Sequence, residues 1–317
     1  GRTSLEVSEI GFGTWGIGGV IWRGGNDASS RAALERGFDL GINFVDTALV
    51  YGDRHSERLI GEVLRRRGDA VIVATKVPPK NGLWPAWPGI PLREVFPRNY
   101  VLKCADTSRR NLGRDTLDLE QFHVWLPQWA EEAEWRDTVA ELKASGRARF
   151  VGISVNDHQP ASVISALRTG LIDCVQVIYN IFDQSPEDEL FPICRQLDVG
   201  VIARVPFDEG SLTGTITPET KFEPGDWRNS YFRGKRKQEV WKRVQRLQRD
   251  LGAAEPEPLA QTALRFCLSH AAVSTVIPGM RSAKHVEENV KASAAGALPA
   301  ATLAILRQHR WLRNYYE

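Results

Sequence analysis

The chain has 317 residues, of which 42% are hydrophobic, so it can bury a large core as one barrel or as two smaller domains. Forty-one Lys and Arg against 39 Asp and Glu leave a formal net charge of +2, which gives no general electrostatic reason to expect nucleic acid or an anionic membrane as a partner. No apolar stretch approaches the roughly 20 residues that cross a bilayer, and the N-terminus lacks the basic-then-apolar pattern of a secretion signal.

Short apolar runs of strand length alternate with longer amphipathic segments from one end of the chain to the other. This alternation is typical of repeated β-α units around a parallel sheet. Eight runs are predicted as strands: Ile10–Thr14, Asn43–Asp46, Val71–Lys76, Leu119–Val124, Phe150–Ser154, Cys174–Ile178, Gly200–Arg204 and Ser274–Ile277.

The segments between these strands include six helix predictions: Ser30–Leu40, Glu57–Arg66, Arg98–Leu112, Glu131–Ser145, Pro160–Arg168 and Glu187–Leu197. Several have residues suited to helix ends. We expect Ser56 to cap the second helix, and Gly113 and Gly146 to end the third and fourth.

Eight such units over this length favour a closed (β/α)8 TIM barrel, with an open doubly wound sheet as the alternative. No linker rich in Pro, Gly or Ser divides the chain, and no sequence repeat is visible, so we expect one barrel domain spanning residues 1–317. Two long strand-to-helix segments, Pro78–Pro97 and Phe207–Gly234, break the alternation. Loops at this face of a barrel build its binding site, so both are predicted to wall a pocket.

Four cysteines, Cys104, Cys174, Cys194 and Cys267, are widely separated in apolar stretches, without a spacing suited to zinc. They are interpreted as buried thiols in a reducing compartment, which favours a cytoplasmic protein without a metal site.

The segment Gly11-Phe-Gly-Thr-Trp-Gly16 matches the G-x-G-x-x-G spacing of a dinucleotide-binding turn. Its context argues against that interpretation, because the following residues up to Gly25 are poor helix formers and no helix N-terminus is predicted there. The glycines are assigned instead to the first strand and its loop, either to let a ligand approach the backbone or as a structural turn.

Titratable side chains end or follow three of the predicted strands. Asp46 and Lys76 are last residues of such runs, Tyr51 follows Asp46 by five positions, and His123 lies at the end of a fourth-strand run. In a parallel barrel these groups meet at one mouth. Together they can protonate a carbonyl oxygen while a nicotinamide delivers hydride to the carbon. Lys76 is expected to bring the pKa of Tyr51 nearer neutrality, with Asp46 as the counter-ion of Lys76.

With these residues in view, the chain resembles the aldo-keto reductase superfamily over nearly its whole length. The supporting segments are Gly11–Gly16, Asn43–Gly52, Ser56-Glu57 with Gly61, Ala74–Lys76, His123, Gly152–Ser154, Val175–Asn180, and Ile277–Gly279 with Glu288-Asn289. The resemblance implies a (β/α)8 barrel that reduces carbonyls with a nicotinamide cofactor and no metal. It also implies Tyr51 as the general acid, with Asp46, Lys76 and His123 completing a catalytic tetrad.

The same resemblance implies a set of cofactor-binding residues. Ser154 and Gln176 are expected to bind the nicotinamide carboxamide, and Arg204 stands where many relatives have an aromatic residue on the nicotinamide. The remaining expected contacts are Gly13, Thr14, Trp15, Val205, Pro206, Phe207, Gly210, Ser211, Gly279, Arg281, Lys284, Glu288 and Asn289.

Arg281 and Lys284 near a helix N-terminus would suit a 2′-phosphate, so NADP(H) is favoured over NAD(H), which stays possible. Two departures from the family pattern concern Val155, which separates Ser154 from Asn156, and His285, where many relatives have Gln or Arg. Both affect details of cofactor binding.

Tryptophans are the candidate walls of the substrate pocket: Trp15, Trp22, Trp84, Trp87, Trp125 and Trp227. Trp125 has the same strand parity as His123, which predicts that the two point the same way. Aromatic walls accept flat or apolar carbonyls or sugar faces, so the natural substrate stays open. The sequence also does not define the direction of the reaction or the oligomeric state.

Two other functions use the same residues. A Schiff-base aldolase would use Lys76 as its nucleophile. A redox sensor would bind NADP(H) in the same pocket with slow turnover.

Overall fold

The computed structural model describes residues 1–19, 26–68, 70–252 and 257–316, and its centre is a sheet of eight parallel strands. Each strand pairs with the next one along the chain. The strands are Phe12–Gly13 (β1), Phe44–Asp46 (β2), Ile72–Val77 (β3), Leu117–Phe122 (β4), Ala148–Ser154 (β5), Cys174–Ile178 (β6), Gly200–Arg204 (β7) and Thr275–Val276 (β8).

Backbone bridges close this sheet between its first and last strands. Ile10 pairs with Val276 and Gly13 with Gly279, both parallel, and the Gly11 N–H donates to the Val276 carbonyl oxygen at 2.8 Å. The predicted (β/α)8 barrel is therefore confirmed. The open doubly wound sheet is wrong, because in such a sheet the edge strands stay unpaired.

Helices connect the strands on the outside of the barrel. The α-helices are Asp27–Asp39 (α1), His55–Arg67 (α2), Leu92–Val95 (α3), Arg98–Leu112 (α4), Glu134–Ala144 (α5), Ile164–Arg168 (α6), Leu190–Gln196 (α7), Arg228–Tyr231 (α8), Arg236–Leu251 (α9), Leu259–Leu268 (α10), Ala283–Ala295 (α11) and Ala300–Arg307 (α12). Short 3-10 helices cover Trp15–Gly18, Pro127–Glu131, Pro160–Val163, Ser185–Glu187 and Asp208–Thr213.

Of the three predicted helix ends, those at Gly113 and Gly146 agree with the structure and the one at Ser56 does not. Gly113 ends α4 in the left-handed conformation, as expected. Gly146 lies one residue beyond Ser145, which closes α5, and also has a positive φ. The prediction that Ser56 caps α2 is wrong. Ser56 lies inside the first turn, fully buried, and its hydroxyl donates to Thr14 Oγ1 at 2.8 Å.

Three helices are shorter than predicted. The helix predicted over Glu131–Ser145 covers only Glu134–Ala144. The segment Pro160–Arg168 begins as a 3-10 helix and becomes α-helical only at Ile164. The helix predicted from Glu187 begins at Leu190 and contains Pro192 in its first turn. Proline has no N–H to donate, so it is tolerated only near a helix start, and this fixes where the helix begins.

The sheet has an apolar core on each of its two faces. Inside the barrel, apolar side chains form a cluster: Phe44, Ala74, Leu119, Cys174, Ile202 and Ile277. A much larger cluster lies between the strands and the helices. It includes Trp125, Trp129 and Trp135, whose rings meet edge to face with centroids 5.4–5.7 Å apart. The alternation of inward and outward side chains along each strand divides the apolar residues between the two cores.

The glycine segment Gly11–Gly16 does not open an α-helix, which confirms that it is not a Rossmann turn. Strand β1 is followed by the 3-10 helix Trp15–Gly18. A Cβ on Gly13 would lie 2.6 Å from the Ile277 carbonyl oxygen, so this glycine lets the first and last strands approach each other.

The two predicted long loops follow β3 and β7 at the carboxyl ends of the strands, and they carry the short helices α3 and α8. All four cysteines are buried free thiols, as predicted. Among the described residues, no group of three or more His, Cys, Asp or Glu side chains is placed to hold a metal ion. No single helix in the described ranges is long and apolar enough to cross a membrane, although the bent pair Ala283–Ala295 with Ala300–Arg307 passes the same test of length and composition.

Two acidic side chains are buried between the sheet and the helices. Glu57 on α2 accepts hydrogen bonds from Thr75 Oγ1 at 2.6 Å and from Asn111 Nδ2 at 2.7 Å. Glu120 on β4 is 1% exposed, and neither of its carboxyl oxygens has a hydrogen-bond partner within the described part of the chain. Burial, together with the nearby Glu57, raises the pKa of Glu120 well above its ordinary 4.5, whereas Lys76 opposes this rise. Burial therefore favours the protonated form of Glu120 in the folded protein.

This raised pKa predicts a pH-dependent loss of stability. The folded state keeps a proton that the unfolded state releases above about pH 4.3, so the free energy of unfolding falls as pH rises from there towards the folded pKa. Glu120→Gln removes the titration and should make the free energy of unfolding, measured by urea denaturation between about pH 5 and pH 8, fall less steeply. The exposed Glu94→Gln serves as the control and should keep the wild-type slope. Equal slopes for wild type and Glu120→Gln would contradict the buried, protonated state.

Candidate active site

A cavity of about 1320 Å³ opens at the carboxyl ends of the barrel strands. It runs from Tyr51 and His123 on one side to Arg281 and Asn289 on the other, and the loops after β3 and β7 form part of its walls. In (β/α)8 barrels this face carries the functional residues, because the strand ends bring side chains from distant parts of the chain together.

The four residues predicted from the strand ends meet at one end of this cavity. Lys76 Nζ donates to both carboxylate oxygens of Asp46 at 2.8 Å and to the Thr47 carbonyl oxygen at 2.7 Å. The same ammonium lies 3.4 Å from the Tyr51 hydroxyl oxygen and 5.0 Å from the centre of its ring. The rings of Tyr51 and His123 are 5.9 Å apart. The structure therefore brings these side chains together as the sequence predicted.

Lys76 is fully buried and lies behind Tyr51 and Asp46, which line the cavity. Burial alone would lower the pKa of Lys76, but the charge of Asp46 and then Tyr51 raise it above the ordinary 10.5. The amine therefore stays an ammonium at neutral pH. A buried ammonium of this kind is stable only when acceptors surround it, and Asp46 with the Thr47 carbonyl supplies them.

The pKa of Tyr51 moves in the direction opposite to the prediction. Burial raises it above the ordinary 10.0, and the positive charge of Lys76 opposes this rise without reversing it. The expectation that Lys76 brings the phenol near neutrality is therefore wrong, because the prediction left out the cost of placing a phenolate in a buried position. Tyr51 holds its proton across the neutral range and is available as a proton donor.

His123 lines the cavity directly after β4. Burial, and then the positive charges of Lys76 and Arg204, hold its pKa well below the ordinary 6.5, so the imidazole is neutral. Its Nδ1 is buried and has no hydrogen-bond partner among the described residues. The ring of Trp84 meets it edge to face at 5.3 Å. A neutral imidazole next to the phenol can donate one hydrogen bond to an oxygen that enters the cavity.

Gln176 and Ser154 extend this network across the cavity floor. Gln176 Nε2 donates to Asp46 Oδ1 at 2.6 Å, and the Ser154 hydroxyl lies 3.4 Å from Gln176 Oε1. Strands β2, β3, β5 and β6 are thereby linked by side chains at their carboxyl ends. This fixes the position of Asp46 relative to the cavity floor.

Most of the predicted cofactor residues line the cavity: Gly13, Thr14, Trp15, Ser154, Gln176, Arg204, Val205, Pro206, Phe207, Gly210, Gly279, Arg281, Glu288 and Asn289. Ser211 is not part of the lining. It is fully buried just behind Gly210, and its hydroxyl has no hydrogen-bond partner within the described residues.

Lys284 does not reach the cavity, contrary to prediction. Its side chain is 81% exposed and lies 3.8 Å from Glu288 one helical turn further along α11. On a helix, neighbouring positions point in different directions, and here His285 faces the cavity instead, as does Arg281 just before the helix. Burial, and then the charge of Arg228, lower the pKa of Arg281, but a guanidinium stays charged at neutral pH.

The segment after β7 has a strained backbone. Val205, Asp208 and Glu209 all have positive φ angles, of 58°, 49° and 56°, which non-glycine residues rarely adopt. The C-terminal segment holds it in place. Arg313 forms a buried ion pair with Asp208, and the Tyr316 hydroxyl donates to Glu209 Oε1 at 2.5 Å. These contacts over-determine the loop and compensate its strain.

Three of the predicted aromatic walls line the cavity, namely Trp15, Trp84 and Trp227, with Trp15 and Trp227 packed edge to face at 5.3 Å. Two do not. Trp125 is fully buried in the outer core, because β4 ends at Phe122 and strand parity no longer applies at position 125. Trp87 is 56% exposed and lies outside the lining. Trp22 falls outside the described residues.

Sequence reasoning missed several residues of the cavity. Tyr316 comes from the C-terminal segment, and its ring lies 5.6 Å from that of Trp227. Asp157 follows β5 and forms an ion pair with Arg204 at 2.7 Å. The only sequence signal for Tyr316 is the aromatic run Trp311-Leu-Arg-Asn-Tyr-Tyr316, which does not reveal where the chain returns.

Comparisons with known proteins agree with this geometry. The sequence profile of the Aldo/keto reductase family matches residues 9–310. Pyridoxal 4-dehydrogenase from Microbacterium luteolum is 30% identical over 322 residues, covering 92% of this chain and 90% of that protein. The NADH-specific methylglyoxal reductase of Escherichia coli (strain K12) is 29% identical over 315 residues, covering 92% of this chain and 91% of that protein.

A solved structure resembles the whole fold. The aldo-keto reductase AKR11C1 from Bacillus halodurans, in its holo form, is 27% identical, with a TM-score of 0.76 and coverage of 99% of this chain and 96% of that one. The barrel and the cavity at the strand ends thus fit the profile match over nearly the whole length. The chain belongs to the aldo/keto reductase family.

Proposed function

We propose that the protein is an NADP(H)-dependent oxidoreductase that reduces aldehydes or ketones to alcohols, reversibly, with Tyr51 as the general acid. The observation that carries this proposal is the position of the Tyr51 phenol, which faces the cavity and lies 3.4 Å from the Lys76 ammonium. Family membership supports the reaction class.

Each side chain near the carbonyl oxygen has a separate role in the proposed reaction. A nicotinamide, when bound, supplies the hydride that reaches the carbonyl carbon. Tyr51 donates its proton to the carbonyl oxygen, and the Lys76 ammonium stabilises the phenolate that remains. Asp46 keeps Lys76 charged and in place, whereas the neutral His123 donates a hydrogen bond to the same oxygen and orients the substrate.

The residues around the cavity fit a dinucleotide. A volume of about 1320 Å³ exceeds the roughly 300–1,000 Å³ of ordinary small-molecule pockets, which leaves room for cofactor and substrate together. The buried Ser211 hydroxyl and the Arg204 Nε have no hydrogen-bond partner among the described residues; Arg204 ends β7, and Ser211 lies in the segment that follows it. Ser154 and Gln176 would hold the nicotinamide end, with Arg281 and Asn289 at the adenosine end.

Three aromatic rings, those of Trp15, Trp84 and Trp227, line the cavity, and the Trp84 ring packs against His123. Such walls bind flat or apolar groups through dispersion and stacking, and they discriminate weakly among them. We therefore infer a broad range of carbonyl substrates.

The aldolase alternative lacks support from the geometry. A Schiff-base lysine must be neutral and open to the substrate, whereas Lys76 is fully buried, bound to both oxygens of Asp46 and has a raised pKa. A redox sensor with slow turnover uses the same cavity and differs from an enzyme in its turnover number.

The proton donor is tested with Tyr51→Phe. Without the phenolic hydroxyl, turnover of an aromatic aldehyde with NADPH should fall by roughly 10²–10⁴-fold, the usual contribution of general acid catalysis. The dissociation constant of NADPH, measured by titration calorimetry, should stay nearly unchanged.

Tyr100→Phe is the matched control, since it removes a phenolic hydroxyl that donates to the Pro78 carbonyl oxygen away from the cavity. This variant should keep wild-type turnover. Full activity in Tyr51→Phe would overturn the assignment of the acid, and very slow turnover in the wild type with a panel of carbonyls would favour the sensor.

The preference for the phosphorylated cofactor is tested with Arg281→Ala. A guanidinium at the adenosine end of the cavity would bind the 2′-phosphate, so this change should weaken NADPH by about tenfold or more and NADH much less. Lys284→Ala, which removes an exposed cation three residues away, should leave both affinities unchanged. An equal loss for both cofactors in Arg281→Ala would show that this residue does not read the 2′-phosphate. The comparison of NADPH with NADH is needed because the Escherichia coli relative is named for NADH.

A further inference from the structure

Arg204, at the end of β7, places a second cation beside the catalytic groups. Its Nη2 donates to the Val155 carbonyl oxygen at 2.9 Å and to Asp157 Oδ1 at 2.7 Å, which ties the end of β7 to the segment after β5. The side chain is 18% exposed, and its Nε is buried without a hydrogen-bond partner in the described part of the chain. The guanidinium is therefore held in one position at the cavity wall.

The place of hydride transfer can be located from Tyr51. For reaction, the hydride donor must come within roughly 3–3.5 Å of a carbonyl carbon whose oxygen meets the phenol. In the proposed function Ser154 and Gln176 hold the nicotinamide, and Arg204 lines the cavity at the end of the next strand, β7.

The charge of Arg204 reaches this part of the cavity. It contributes to lowering the pKa of His123 after burial and Lys76, and it opposes the rise that burial causes in the pKa of Tyr51. The Asp157 carboxylate is more exposed, at 28%, so water screens its charge more strongly than that of Arg204. Lys76, in contrast, is matched by the equally buried Asp46.

We propose that Arg204 makes the protein bind reduced nicotinamide more tightly than oxidised nicotinamide and thereby shifts the equilibrium between the bound reactants towards alcohol oxidation, and that Asp157 limits the size of this bias. The inference rests on the proposed function. The oxidised ring carries one positive charge that the reduced ring lacks, so a nearby guanidinium destabilises the oxidised form selectively.

The reaction that this bias favours is alcohol oxidation. The alcohol carbon would give its hydrogen and two electrons to a bound oxidised ring, the hydroxyl proton would pass to Tyr51 in its phenolate form, and a carbonyl would form. Because Tyr51 holds its proton at neutral pH, this direction needs the minor phenolate form, which the charges of Lys76 and Arg204 stabilise against burial. A guanidinium beside the oxidised ring would make that ring the stronger hydride acceptor, since the ring loses its positive charge on reduction.

The test compares dissociation constants of NADP⁺ and NADPH, measured by titration calorimetry without any turnover. For the ratio of the NADP⁺ constant to the NADPH constant, Arg204→Met should lower the wild-type value by about tenfold, which corresponds to about 1.4 kcal/mol. Asp157→Asn keeps the guanidinium but removes its partner charge, so it should raise the ratio. If Arg204 and Asp157 only held the loop in place, the two substitutions would shift the ratio of the NADP⁺ constant to the NADPH constant in the same direction, or neither would change it.

Arg149→Met and Asp118→Asn are matched controls, because these two residues form an ion pair at 3.0 Å near the other end of β5. Both should keep the wild-type ratio. If thermal unfolding shows that Arg204→Met does not fold, Asp157→Asn decides the question, and an unchanged or lowered ratio overturns the inference. Binding of both cofactors with unchanged ratios in both variants overturns this inference alone. Failure of wild type to bind either cofactor overturns the proposed function as well.

Discussion

The rest of the site depends on one buried ion pair, between Lys76 at the end of β3 and Asp46 at the end of β2. Neither charge could be buried alone, since removing an ion from water costs several kcal/mol. The network of Thr47 and Gln176 supplies the remaining hydrogen bonds, and it joins strands that are far apart in sequence. The geometry of this cluster is therefore coupled to the closed barrel, because only closure brings β2, β3 and β6 to one mouth.

The parts of the fold that follow from hydrophobic periodicity were predictable. Strands β6 and β7 have the predicted bounds, and the others differ by a few residues at their ends. Local hydrogen-bond competition was not predictable. Serine is a common helix cap, but the Ser56 hydroxyl donates to Thr14 in a buried contact. The barrel, rather than the neighbouring sequence, places Thr14 there. The start of α7 depends on Pro192, whose position within the helix the pattern did not resolve.

For the site, side chains at strand ends were predictable because parallel strands deliver them to one face. Predictions failed where they extended beyond the strands. Trp125 lies past the end of β4, and Lys284 lies on a helix whose rotation the sequence did not define. Tyr316 and Asp157 were missed, since their contacts come from tertiary packing. The direction of the Tyr51 pKa shift was also inaccessible, because it depends on how deeply the phenol is buried.

The distribution of tryptophans gives the molecule two optically distinct groups of indoles. Trp125, Trp129 and Trp135 are sealed in the outer core, whereas Trp15, Trp84 and Trp227 border the cavity. Of these two groups, water reaches only the second, so its emission should be red-shifted and open to quenching by small solutes, as should that of the exposed Trp87 and Trp241. A ligand that fills the cavity would change the emission of Trp15, Trp84 and Trp227, whereas the emission of the sealed group would stay unchanged. The protein therefore carries its own optical reporter of occupancy.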